Sequence, residues 1–259
     1  MAVAAAAIAV LRPNWPAPPA VRAAFTLRAG GASAGPFESL NLGARVGDAP
    51  GAVAENRRRV RVHLGLVADP LWLEQVHGVG VLEAQAHSRD VAAATPAAAP
   101  CADALIARGP REVCAVQVAD CLPVLFADRD ARAVAAAHAG WRGLAAGVLE
   151  ATVAGLGGPP ERLLAWLGPA IGVRHFEVGD EVRRAFLAHD TAAAEAFTAN
   201  ERGRWQCDLV HLARQRLSRL GVPAVYGGPW CTYADPGRFF SYRRDGQCGR
   251  MAALIWLEG

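Results

Sequence analysis

The chain has 259 residues, 53% of them hydrophobic and 20% charged, with a formal net charge of +3. That length suffices for one large α/β domain with a substantial core. So small a charge leaves no footprint for nucleic acid or an anionic membrane, and no uncharged apolar run is long enough to span a bilayer.

The apolar residues 1–10 lack a basic leader and run into Arg12-Pro13-Asn14-Trp15-Pro16, so they read as a strand or tail and not as a secretion signal. A short strand is expected at 23–28, then loop chemistry at 31–36, the Leu40-Asn41-Leu42-Gly43 segment and a Gly47-Asp48 turn. Residues 52–64 read as a helix with Val53, Val60 and Leu64 on one face. The Arg57, Arg58, Arg59 and Arg61 run is read as its solvated side. Residues 71–84 look like a strand pair broken at His77-Gly78. The Ala- and Pro-rich 87–100 stretch is a surface loop, and an ordered piece follows at 102–107.

Residues 114–143 hold three apolar runs, at 114–118, 122–127 and 133–137, each read as a strand. Asp120-Cys121 separates the first two, and His138 ends the third, just before Gly140-Trp141-Arg142-Gly143. Residues 144–156 should be one helix, stopped by Gly157-Gly158-Pro159-Pro160. A buried strand at 163–167, helices at 178–189, 191–198 and 208–220, and strands at 224–226 and 251–257 complete the chain. Gly221 marks the end of the 208–220 helix. Adjacent strand pairs among alternating strands and helices predict a mixed sheet in a single domain, 1–259.

Three residues sit at strand ends where a rigid scaffold presents chemistry: His77, Cys121 and His138. Two imidazoles and a thiolate are a ligand set that Zn²⁺ accepts, leaving a fourth position open. Spacing alone leaves other readings standing. Cys121 and His138 also suit a cysteine-hydrolase dyad oriented by His77 or Asp120, and each residue could simply pack. The chain has no G-x-S-x-G, P-loop or G-x-G-x-x-G motif. Gly140 to Gly143 with Arg142 is a possible anion cradle, and Arg243, Arg244 and Arg250 form a second one. Cys101, Cys114, Cys207, Cys231 and Cys248 have no matching His spacing and read as inert. His63, His87, His175, His189 and His211 read as surface or packing residues. Six Cys with no C-x-x-C pair argue against a disulfide framework and for a reducing, cytoplasmic setting.

A series of motifs resembles one family, in family order from 25 to 253: FTLRAGGASAGPFESLNLG, GDAPGAVAENR, LEQVHG, CADAL, VADCLPVLFAD, HAGWRGL, GPAIG with FEVG, and FFSYRRDGQCGR. The family is the laccase-domain, or polyphenol oxidase, YfiH-type proteins, regarded as purine nucleoside phosphorylases. The resemblance implies a layered α-β-β-α sandwich similar to the catalytic domain of cytotoxic necrotizing factors. It implies a zinc site whose ligands match His77, Cys121 and His138. It also implies phosphorolysis of adenosine, inosine and methylthioadenosine, with adenosine deamination beside it. Phe176 stands where Tyr is common in the family, Ala107 where Thr is common, and Cys248 where Thr usually precedes Gly-Arg.

The expected partners are therefore a purine nucleoside and phosphate, with Arg142, Arg243, Arg244 or Asn41 holding substrate and Asp120 moving protons. Neither nucleic acid nor membrane is expected, and oligomeric state is not legible. Copper is a possible alternative metal, because two His and one Cys resemble a blue-copper ligand set. A multicopper oxidase needs paired H-x-H motifs, and the seven His include no such pair. The competing readings are copper-dependent phenol oxidation, Cys121- or zinc-dependent amide hydrolysis on peptidoglycan precursors, and a binding protein whose three candidate ligands lie apart.

Overall fold

The computed structural model describes residues 7–84 and 99–259. Most of the predicted 87–100 loop, including His87, lies outside the described residues, as does the start of the N-terminal apolar segment. The strands in chain order are β1 Val10–Leu11, β2 Val21–Thr26, β3 Val81–Glu83, β4 Ala104–Ala107, β5 Val113–Val118, β6 Leu122–Asp128 and β7 Val134–Ala139. There follow β8 Leu163–Leu167, β9 Glu177–Val178, β10 Phe197–Ala199, β11 Trp205–Cys207, β12 Ala224–Gly227 and β13 Met251–Leu257. The helices are α1 Pro50–Leu64, α2 Trp141–Ala146, α3 Val148–Leu156, α4 Asp180–Leu187, α5 Leu209–Arg219 and α6 Tyr242–Asp245.

A six-stranded sheet ordered β12-β8-β6-β7-β4-β3 faces a four-stranded sheet ordered β1-β2-β13-β5. The larger is mixed: β12 runs parallel to β8, and β6 and β7 are antiparallel. The unbroken apolar run of β6 is explained by burial on both faces. Leu122, Val124 and Phe126 pack with helix residues Leu149, Leu212 and Leu217, while Leu125 and Ala127 join Phe25, Val116 and Ile255 of the other sheet. On the far face of the smaller sheet, Leu254 and Trp256 pack with Val60 of α1 and Leu40 and Leu42. The layers are thus helix, sheet, sheet, helix, the expected α-β-β-α sandwich, with the larger sheet mixed and the smaller one wholly antiparallel. A third, antiparallel sheet, β10-β11-β9, lies outside this scheme.

Three local expectations need correction. Of the strand pair at 71–84 only β3 is a strand. Leu71 and Glu74 make isolated bridges to Cys114 and Cys101. The N–H groups of Val76, His77 and Gly78 bond the Asp103 carboxylate, which occupies donors a strand ladder would use. The helix at 144–156 is two helices, because Gly147 at φ 105° ends α2 and begins α3. The predicted helix at 191–198 is a 3₁₀ turn, Thr191–Ala196, capped by the Asp190 side chain and followed by β10.

The Arg run of α1 is not uniformly solvated either. Arg58 and Arg59 pair with Glu55, and Arg61 with Asp69. Arg57 lies one turn beyond Val53, on the buried face. It stacks on Trp72 at 4.2 Å and donates to Leu42 O. Burial pushes its guanidinium down to about 10.

Asn56, also on that face and fully buried, ties 31–43 to α1. Its Nδ2 donates to Ser33 Oγ, Ser39 O and Asn41 O, and its Oδ1 accepts from Ala32 N. Asn56→Ala would leave buried backbone groups unpaired, so chemical denaturation should show about 2 kcal/mol less stability.

Candidate metal centre

The sheet register builds the site. Ala104 of β4 pairs with Ala137 of β7, so Asp103 and His138 are the next residues along a common edge. Along β7, Val134 and Ala136 face the second sheet while Ala135 and Ala137 face the helices. Period two therefore turns His138 toward the second sheet. Asp103, two residues before Leu105, turns the same way. His138 Nδ1 lies 2.8 Å from Asp103 Oδ1, which leaves Nε2 free to bind a metal. The backbone repeats the link, His138 N donating to Asp103 O at 2.7 Å.

The Asp103 carboxylate also holds the second histidine. Oδ1 accepts from His77 N at 2.9 Å, and Oδ2 from Gly78 N at 2.7 Å. These bonds fix His77 at φ 61°, a left-handed conformation uncommon for non-glycine residues. Burial alone would raise the Asp103 carboxyl, but His138 and the Gly78 and His77 N–H groups outweigh it and hold it below its ordinary value. Asp103 was not among the residues singled out from the sequence. Its sequence signals are its place in the CADAL motif and a carboxylate opening an otherwise apolar strand, ADALIA.

Cys121 enters from the turn between β5 and β6. The preceding Asp120 has φ 94°, and both its carboxylate oxygens are taken, by the Thr232 hydroxyl at 2.6 Å and by Arg243 N at 2.7 Å. Cys121 Sγ then lies 3.8 Å from His77 Nε2, and the His77 and His138 rings meet edge to face at 4.8 Å. One ligand atom from each of His77, Cys121 and His138 lies within 4.8 Å of the others. Gly140 closes the site: a Cβ there would stand 2.8 Å from His77 Cδ2 and 3.0 Å from Cys121 Sγ.

Burial opposes ionisation of Cys121, but the His138 and His77 imidazoles outweigh it and bring the thiol down to about 6. Burial likewise opposes protonation of His138, and the Cys121 thiolate and Asp103 carry it up to about 9. A soft thiolate and two oriented imidazoles around one point fit a zinc or copper ion. In metal-stripped protein, alkylation of Cys121 read by peptide mass spectrometry should reach half its limiting rate near pH 6. Half-maximal reaction at an ordinary thiol value of about 8.5 would show that the ion pair does not form.

The three residues open onto a cavity of about 570 Å³. Among the described residues, the arginines that line it are Arg45, Arg57 and Arg250, not Arg142, Arg243 and Arg244. Arg142 is exposed and stacked on Trp141 at 4.4 Å. Arg243 donates to Glu177 O. Arg244 is spent on Asp245 and the carbonyls of Thr232, Tyr233 and Phe239. Asn41 is fully buried; its amide holds Gly43, Asp48 and Arg250 N in place. Asp120, likewise, is a strut with no oxygen turned to the cavity. Sequence reasoning could not separate a guanidinium facing the cavity from one closing a loop. Cys248, at the position of the usual Thr, is buried with Sγ 3.5 Å from Arg250 Nη1.

Fold and site together define an α/β sandwich protein with a His₂Cys metal-type centre at one end of its sheets. Residues 22–258 match the model of the multi-copper polyphenol oxidoreductase laccase family, and the chain belongs to that family. A Pseudomonas aeruginosa protein named as a purine nucleoside phosphorylase is 54% identical, the match covering 96% of this chain and 98% of that one. The Escherichia coli purine nucleoside phosphorylase YfiH is 52% identical, over 95% of this chain and 97% of its own. A Neisseria meningitidis crystal structure superposes with a TM-score of 0.89 at 48% identity, covering 96% of this chain and 99% of that one. That of Bacillus licheniformis YfiH gives 0.85 at 32% identity, over 92% and 93%. Among the described residues, no helix is long and apolar enough to cross a membrane.

Proposed function

We propose that the chain is a zinc-dependent purine nucleoside phosphorylase acting on adenosine, inosine and methylthioadenosine, with adenosine deamination as a second reaction. The observation that carries it is the convergence of His77, Cys121 and His138 on a cavity that Arg45, Arg57 and Arg250 also line. The names of relatives sharing about half the sequence support the substrate class. The cavity volume lies within the range of about 300–1,000 Å³ usual for small-molecule sites.

His77, Cys121 and His138 would hold zinc, which when bound supplies a Lewis acid. Arg250 and Arg45 would position phosphate, and Arg57, fixed by Leu42 O and Trp72, adds charge without moving. Arg45 also pairs with Glu74 at the cavity wall, so phosphate would compete with that carboxylate. Leu73, Val118 and Tyr242 supply apolar surface for the base. In phosphorolysis a phosphate oxygen attacks the anomeric carbon, the glycosidic bond breaks, and the base departs with a proton.

The test is incubation of zinc-loaded protein with inosine and phosphate. Hypoxanthine and ribose 1-phosphate should form in equal amounts, and His77→Ala should lose both. Zinc-replete protein that releases no base would refute the reading. Two other chemistries are favoured by particular observations. The His₂Cys donor set suits copper, and phenol oxidation should then appear only after copper loading. The 3.8 Å Cys121–His77 approach suits a thiol hydrolase, whose amide cleavage would persist after chelation.

A further inference from the structure

Cys231 and His175, 56 residues apart and both read from the sequence as ordinary, meet outside the metal centre. Cys231 Sγ lies 3.5 Å from His175 Nδ1. The Gly172 N–H points at the same sulfur from 3.2 Å. Glycine eases that approach, since a Cβ on Gly172 would crowd Cys231, 3.1 Å from its Cβ and 3.2 Å from Sγ. The imidazole is held flat against Tyr233, ring centres 4.5 Å apart and 19° from parallel. Cys231 itself is pinned by a bridge to Ala170, with Thr232 N donating to Ala170 O.

This pair opens onto its own cavity of about 450 Å³, lined also by Trp230, Val210, Arg174 and Arg214. Arg214 is anchored to Val225 O and Gly227 O, and Arg174 is exposed. Among the described residues Asp208 is the one carboxylate on the wall, and its Oδ1 caps α5 at His211 N. Two arginines against one carboxylate among these lining residues give a positive balance that favours an anionic visitor. Among the described residues, Cys121 and Cys231 are the thiols with an imidazole in hydrogen-bond reach. Cys101 is exposed, whereas Cys114, Cys207 and Cys248 are buried.

We propose that Cys231 is a thiol-modification site that exchanges with a small, carboxylate-bearing disulfide, with His175 as its base. The Cys231 proton passes to His175 Nδ1 and Sγ attacks one sulfur of the disulfide. The Cys231–sulfur bond forms as the original sulfur–sulfur bond breaks. The departing thiolate takes the proton from His175. Cys231 is oxidised and the small disulfide reduced, so no other oxidant is needed. The Gly172 N–H stabilises the attacking sulfur. The modified residue lies beside Thr232, whose hydroxyl holds Asp120 next to Cys121.

The test treats the reductant-free protein with oxidised glutathione at neutral pH and follows each cysteine by peptide mass spectrometry. Cys231 should gain one glutathione about tenfold faster than exposed Cys101, reversibly with dithiothreitol. His175→Gln should slow Cys231 by about tenfold and leave Cys101 unchanged. Unmodified Cys114 and Cys207 in that variant show that the fold is kept. The neutral bis-hydroxyethyl disulfide should react with Cys231 more slowly than oxidised glutathione. Equal rates at Cys231 and Cys101, no effect of His175→Gln, or no preference for the anionic disulfide would each overturn the proposal.

Discussion

Replacing Asp103 with alanine should lower zinc affinity by about 10–100-fold and reduce nucleoside phosphorolysis with it. Asp103 binds no metal itself. Its carboxylate holds Nδ1 of His138 at 2.8 Å and the N–H groups of His77 and Gly78 at 2.9 and 2.7 Å, so two of the three ligands take their orientation from it. It is fully buried, so alanine also strands donors without water to replace the lost acceptor. The loss of folding stability should be about 3 kcal/mol. Asp103→Asn separates the two effects, because it keeps the shape. Whichever way the amide turns, its NH₂ meets N–H donors, so zinc affinity should still fall. Competition with a chromophoric chelator measures this, and a folded Asp103→Asn protein with wild-type affinity would show that the carboxylate does not orient the site.

Gly140→Ala should cut the rate of phosphorolysis by about a hundredfold, the cost expected when a constellation is displaced by about 1 Å. The added methyl has no free place to go. It stands 2.8 Å from His77 Cδ2 and 3.0 Å from Cys121 Sγ, between two ligands from different parts of the chain. Gly140 is the N-cap residue of α2 at φ −62°, a backbone conformation open to alanine, so helix strain does not account for the effect. Overpacking should remove about 1–3 kcal/mol of stability. Gly143→Ala is the informative companion. Its methyl would meet Gly78 O at 2.7 Å and push on the His77-Gly78 turn instead of the ligand atoms. Comparing zinc content and turnover of the two variants tells ligand displacement from turn displacement. A fully active, zinc-replete Gly140→Ala enzyme would mean that the site relaxes around the methyl.

Strand existence was legible because burial demands apolar runs: the stretches at 114–118, 122–127 and 251–257 became β5, β6 and β13. The three ligand positions were legible as residue types at strand ends, and the motif series pointed to a metal. Helix 144–156 was misread because Gly147 can extend an apolar pattern while its positive φ breaks the helix. The strand pair at 71–84 failed for a different reason. Its donors bond to the side chain of Asp103, which is 25 to 27 residues later in sequence.

By itself the sequence determined which segments must be buried and which residue types could bind a metal. Only the tertiary structure decided which arginines line the cavity. Arg57 and Arg250 do, whereas Arg244 folds back onto the carbonyls of Phe239, Tyr233 and Thr232, 5 to 12 residues earlier, and local pattern does not show which arginine closes such a loop. It also decided that Asp103 joins His77 to His138. That bond depends on the register of β4 against β7 and on a turn reaching in from outside the sheet, and chain spacing encodes neither.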